Sequence, residues 1–185
     1  KNNSMLRFRN AIYEVFEFIK GTGYDNSLEA THEAGKILAL FHKLLEEYQP
    51  EYEAPRGSYH ASRQLHMAMS QAPKMLMQVN AHARKEQEHL QKLIQFLNDS
   101  YNDAAQKVNQ IGLGDWPMQI IHSDWHPGNM LFRGTRVVAV IDYDAARVQQ
   151  RIIDAANGAL QFSIIGGGDD ASQWPQYIDT SRYKR

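Results

Sequence analysis

Three short apolar runs crowd one stretch of the chain: Met118–His122, Met130–Arg133 and Val137–Asp142. Each has the length and side-chain content of a strand and is too short for an independent helix. Gly134-Thr135 between the last two fits a hairpin turn. The link between the first two, Ser123-Asp124-Trp125-His126-Pro127-Gly128-Asn129, is largely polar and broken by Pro-Gly. A short hairpin brings the start of its first strand beside the end of its second. Asn129 and Asp142 are therefore expected to be neighbours, with Asp124 able to curl over them.

Helical patterns surround this segment. Ala30, Ala34, Ile37, Leu38, Phe41, Leu44, Leu45 and Tyr48 recur at helical spacing, with Asn26 and Glu29, or Ser27, available to cap the start. Pro50 to Pro55 breaks that helix, and the Met- and His-rich stretch from Ser58 to Leu76 reads as a weaker one. From Arg84 to Val108, the residues Leu90, Leu93, Ile94, Leu97, Tyr101 and Val108 form one stripe, the mark of a helix packed on a core. A last helix is expected from Ile152 to Ile165. Gly166-Gly167-Gly168-Asp169-Asp170 then reads as a loop, because a phosphate cradle needs a preceding strand and a Lys-Ser/Thr ending. At the other end, Met5–Phe8 and Ala11–Ile19 read as two strands around Arg9-Asn10, followed by a loop or hinge from Gly21 to Asn26. The fold class is α+β.

Composition narrows the function. The 185 residues suit one domain or one large lobe, and 43% hydrophobic content is enough for a core. A net charge of -1 offers no bulk attraction to nucleic acid or anionic membrane. With Cys 0, disulfide scaffolds, thiolate zinc sites and cysteine nucleophiles are excluded together. No apolar run reaches the ~20 residues of a membrane helix, and no secretory signal is read, so the expected location is the cytoplasm.

The chemistry concentrates at Asp124, Asn129 and Asp142. Asn and Asp oxygens are hard ligands that suit Mg²⁺ held largely through substrate phosphates. The remaining carboxylate can orient an attacking hydroxyl, and a loose phosphoryl transition state asks mainly for positioning and charge compensation.

His122-x-Asp124 followed by Asn129, a hairpin and Ile141-Asp142 resembles the catalytic and metal-binding segments of the aminoglycoside phosphotransferase/choline kinase-like family. Tyr13–Gly21 is similar to that family's last N-lobe strand and hinge, and Ala34–His42 to its first large C-lobe helix. The resemblance implies a protein-kinase-like fold, with residues 1–20 as the end of the N-lobe sheet and hinge. Residues 21–185 would form a mainly helical C-lobe carrying the catalytic hairpin. It implies ATP or GTP and Mg²⁺ as cofactors, Asp124 as the catalytic residue, and Asn129 and Asp142 as metal ligands. Glu17 and Ile19 would meet the adenine through their backbone, and Leu131 and Ile141 would floor the nucleotide pocket. His122 and Asp154 would be structural supports, Asp154 by bonding the catalytic-loop backbone. The acceptor would be a hydroxyl of a small metabolite or antibiotic.

Two departures stand out. Ser123 occupies a position where the family usually has Gly. The family's glycine-rich loop and lysine strand have no counterpart ahead of the hinge, so the expectation is an N-lobe largely missing from this chain.

Other readings use the same residues. His122, Asp124 and His126 alternate along an extended strand and could bind Zn²⁺ for hydrolysis. A kinase-like module that binds without catalysis is a third possibility. Elsewhere blander roles prevail. Asp144, Asp169 and Asp170 read as turn residues, and Met67, Met69, Met75 and Met77 as core filling. His60, His66, His82 and His89 read as helix residues, and Trp125 and Trp174 as packing groups or substrate-facing aromatics. Arg147, Arg151 and Arg182 read as surface charges or helix contacts.

Overall fold

A computed structural model of the chain describes residues 5–49, 51, 60, 62–79, 85–164, 173 and 177–184. The expected Gly166–Asp170 loop, Pro50, Pro55, Ser58, His82, Arg84, Ile165 and Trp174 lie outside the described residues. In chain order the strands are β1 (Met5–Phe8), β2 (Ala11–Glu14), β3 (Met118–Ile121), β4 (Met130–Arg133), β5 (Arg136–Val140) and β6 (Arg147–Gln150). The helices are α1 (Leu28–Leu44), α2 (Arg63–Val79), α3 (Gln87–Gln110), α4 (Ile152–Ser163) and α5 (Thr180–Tyr183). The architecture is thus a mixture of helices and two-stranded antiparallel sheets, β1-β2, β3-β6 and β4-β5. Contacts divide it into two compact units.

The first unit comprises residues 1–43, 122–145 and 154–185. β1 and β2 pair with Met5 opposite Glu14 and Phe8 opposite Ala11. The strand expected to reach Ile19 stops at Glu14, because β1 supplies partners no further than Met5 among the described residues. Backbone pairing resumes at Thr22, which exchanges two hydrogen bonds of 2.8 Å with Phe132. α1 begins where Ser27 Oγ accepts the Ala30 N–H at 3.1 Å. Asn26 is not the cap; it sits in the left-handed region at φ 61°.

One face of α1 is buried through Ala30, Thr31, Ala34, Leu38 and His42, a near-perfect i, i+4 stripe. Leu44 and Tyr48, expected on that stripe, are 72% and 52% exposed, so it ends one turn earlier than the apolar pattern. Ala30, Ala34 and Leu38 join Trp125, Met130, Phe132 and Phe162 in the core. Each large side chain buried there contributes roughly 1.5–3 kcal/mol. Tyr24 bridges this cluster, its ring 5.8 Å from Phe132 and 5.1 Å from Phe162.

The second unit comprises residues 44–121 and 146–153. α2 packs along α3, with Tyr101 Oη accepting the Ser62 N–H at 2.8 Å and its ring meeting His66. Met67 and Met75 are 50% and 60% exposed, which corrects their assignment to core filling. The spacing that puts a methionine on a helix face does not decide whether anything covers that face. β3 pairs with β6, Met118 opposite Gln150 and Ile121 opposite Arg147. β6 was not expected, because Arg147-Val148-Gln149-Gln150 holds only one apolar side chain. Its strand character comes from pairing: Gln149 is buried, and Gln150 Nε2 donates to the Leu113 carbonyl. No described helix is long and apolar enough to cross a membrane.

Candidate active site

The loop after β3 is held from beneath by one carboxylate. Asp154, fully buried on the first turn of α4, accepts the His122 N–H at 2.9 Å through Oδ2 and the Ser123 N–H at 2.7 Å through Oδ1. A third partner is His42 on α1, whose Nε2 lies 2.9 Å from Asp154 Oδ2. A carboxylate is an acceptor only, so these contacts assign the His42 proton to Nε2. The resemblance implies the support role for Asp154; the sequence marks His42 only as part of a helix. The signal for it was positional: a histidine one helical repeat beyond Leu38 on the buried stripe.

Above this anchor the backbone turns sharply. Ser123 adopts φ 69°, a region costly for residues with a side chain, which explains why glycine suits the position. The turn delivers Asp124 to a half-exposed position. Asn129, buried in the Pro127–Asn129 turn, donates from Nδ2 to the Asp124 carbonyl and to Asp124 Oδ2, both at 3.0 Å. His126 approaches the same carboxylate, its Nε2 3.3 Å from Oδ2, while its Nδ1 accepts the Gly128 N–H at 3.0 Å.

His122 faces the other way. Its Nε2 donates to the Ile141 carbonyl at 3.1 Å, and its Nδ1 is buried with no hydrogen-bond partner among the described residues. The ring is enclosed by Trp125 at 5.5 Å, Tyr143 at 5.0 Å and Phe41 at 6.2 Å. Tyr143 also stacks on Phe41, and burial pushes its phenol above the ordinary tyrosine range. Ile141 is gripped from both sides, because its N–H donates to the Asn129 carbonyl at 3.0 Å. The chain then turns at Asp142, φ 64°, a conformation that aspartate tolerates better than most residues. β5 ends at Val140 and not at Asp142, since this turn breaks the ladder. Asp124, Asn129 and the Ile141-Asp142 turn are thus linked by a continuous set of hydrogen bonds.

A cavity of about 560 Å³ opens beside them. The segment after β2 forms one wall, including Phe16, Glu17, Phe18 and Ile19; Leu131, Val140, Ile141 and Asp142 form another. Glu17, Ile19, Leu131 and Ile141 therefore line one largely apolar slot together with Asp142. The segment after β2 is pinned to the hairpin at Gly21. A Cβ there would lie 2.9 Å from Leu131 Cβ and 3.0 Å from the Phe132 carbonyl, so only glycine permits the approach.

The donor set suits a hard divalent ion. Asn129 turns its amide nitrogen to Asp124, which leaves its Oδ1 as an acceptor, and Asp142 is an exposed carboxylate beside the cavity. Mg²⁺ commonly uses one or two protein oxygens and completes its shell with phosphate and water. Among the described residues, no three His, Asp or Glu side chains are grouped to hold a metal by themselves. The histidines of the zinc reading do not converge on a shared point: His122 Nε2 is committed to Ile141 and His126 Nδ1 to Gly128.

A family model described as a phosphotransferase enzyme family matches residues 6–181. No curated protein sequence matches the chain.

Proposed function

The chain belongs to the phosphotransferase enzyme family, and from that premise we propose that it moves the γ-phosphoryl group of ATP, or of GTP, to a hydroxyl of a small molecule. The acceptor would be a metabolite or an aminoglycoside-like antibiotic. The observation that carries this reading is the linkage of an apolar slot to the oxygen-rich cluster Asp124–Asn129–Asp142 through Ile141, which lines the slot and bonds Asn129. A base would lie between the backbone of Glu17 and Ile19 and a floor of Leu131 and Ile141, which line the same cavity. The phosphates would then extend toward Asp142.

Asp124 accepts a hydrogen bond from the acceptor hydroxyl and aims its lone pair at the γ-phosphorus. As the new O–P bond forms, the bond to the β,γ-bridging oxygen breaks, the nucleoside diphosphate departs and the hydroxyl proton passes to Asp124. Asn129 Oδ1 and Asp142 would hold Mg²⁺, which when bound neutralises charge on the phosphate oxygens. Asp154 and His42 keep the loop from shifting, and His122 fixes the Ile141 carbonyl.

The proposed setting is the cytoplasm, with a nucleotide and a small-molecule acceptor as partners and no nucleic acid or membrane surface. Calorimetric titration of ATP with and without Mg²⁺, followed by a screen of hydroxyl acceptors with γ-labelled ATP, tests the reading. Mg²⁺-enhanced binding and label in a phosphate monoester are the expected results. Nucleotide binding indifferent to Mg²⁺, with no label transferred, would overturn it.

A further inference from the structure

We propose that His126 is a positioning residue that decides which oxygen of Asp124 faces the acceptor: Oδ2 is held, and Oδ1 is presented. The inference rests on the phosphotransferase reading and deepens it. Asn129 Nδ2 donates to Oδ2 at 3.0 Å, and His126 Nε2 flanks the same oxygen at 3.3 Å, a polar contact outside hydrogen-bond geometry. No described residue engages Oδ1 through a hydrogen bond or ion pair. Since Nδ1 of His126 accepts the Gly128 N–H, the neutral imidazole carries its proton on Nε2, the ring nitrogen nearer the carboxylate. Accepting capacity is thereby used on one side of Asp124 and left on the other.

The imidazole owes its place to the turn that follows it. A Cβ on residue 128 would stand 2.7 Å from His126 Cε1 and 3.0 Å from its Nδ1, so the ring occupies space that only glycine leaves open. Pro127 at the first position of the turn restricts the backbone between them.

Exposure separates positioning from mere support. The His126 and Asp124 side chains are 32% and 44% exposed, a setting in which even full ion pairs contribute little to folding and a contact of a neutral ring contributes no more. Losing the imidazole should therefore leave the fold intact and let the carboxylate rotate. Misplacement of a reacting group by about 1 Å can cost on the order of 100-fold in rate.

The test compares His126→Ala, His126→Gln and Gly128→Ala with the unaltered protein and with Asp124→Ala. Measurements are kcat, KM for ATP, Kd for Mg·ATP and the thermal midpoint. His126→Ala is expected to lower kcat by about 10–100-fold while KM and Kd for the nucleotide stay within about twofold. Glutamine, whose amide nitrogen can reach Oδ2, is expected to recover much of the loss. Gly128→Ala should fall with His126→Ala, since its methyl group evicts the ring. Nitrogen-15 spectra of labelled histidine provide a readout independent of turnover: His126 should show a protonated Nε2 and an unprotonated Nδ1, lost in Gly128→Ala.

Wild-type kcat in His126→Ala would overturn the inference, as would a loss confined to nucleotide KM or glutamine performing no better than alanine. If Asp124→Ala is inactive while His126→Ala turns over normally, only the role of His126 falls. If the unaltered protein neither transfers phosphate nor binds nucleotide in a Mg²⁺-dependent way, the phosphotransferase reading falls, and the inference falls with it.

Discussion

His42 and Asp154 lie 112 positions apart in the chain and meet at 2.9 Å in the buried base of the candidate site. The contact joins α1 to α4 directly beneath the loop that presents Asp124. Because Asp154 also accepts the backbone N–H groups of His122 and Ser123, one carboxylate ties two helices to the loop.

Removing that carboxylate should therefore cost more than an ordinary core substitution. Asp154→Ala leaves two buried backbone donors and the His42 ring without their acceptor. The expected loss is about 3–5 kcal/mol, read as a lower denaturation midpoint. Asp154→Asn should fall between, since an amide keeps one accepting oxygen. A loss in Asp154→Ala below about 1 kcal/mol, the scale of a single ordinary hydrogen bond, would contradict the anchoring role.

Asn129→Ala and Asp142→Ala should separate metal-assisted binding from binding of the base. Each is expected to weaken Mg·ATP at least about tenfold, which corresponds to about 1.4 kcal/mol. Adenosine, lacking phosphates, should bind about as before. Calorimetry with the two ligands checks this, and an equal loss for adenosine would point to a collapsed pocket.

Gly21→Ala tests the attachment of the segment after β2 to the hairpin. The added methyl group would press on Leu131 and the Phe132 carbonyl, beside the paired hydrogen bonds of Thr22 and Phe132. Overpacking of this kind costs about 1–3 kcal/mol. Nucleotide affinity should fall with stability, because the wall carrying Glu17 and Ile19 shifts relative to Leu131.

Ser123 offers a backbone test. At φ 69° a β-branched side chain is strained, so Ser123→Val should lose about 2 kcal/mol, whereas Ser123→Gly should stay within about 1 kcal/mol of the unaltered protein. Thermal melts of the two variants decide the matter; equal stability would show that the left-handed turn relaxes.

Much of the hairpin was legible because its signals are local. Met130–Arg133 and the Gly134-Thr135 turn follow from apolar runs and a glycine, here at φ 60°. The closeness of Asn129 to the end of β5 follows from hairpin geometry alone. What escaped the sequence depends on partners far along the chain. Arg147–Gln150 carries no strand pattern and becomes one by pairing with β3. His42 looks like any histidine near a helix end until Asp154 arrives beside it. Val15–Ile19 has strand-like side chains yet no described partner strand, so propensity without pairing overstated β2.

The most direct test of the central claim compares the unaltered protein with Asp124→Ala, following phosphorus-31 spectra with Mg·ATP and the acceptor found by screening. The account predicts a growing phosphate monoester signal in the first and none in the second, with both binding Mg·ATP at similar affinity. Product formed at the same rate by Asp124→Ala would contradict it.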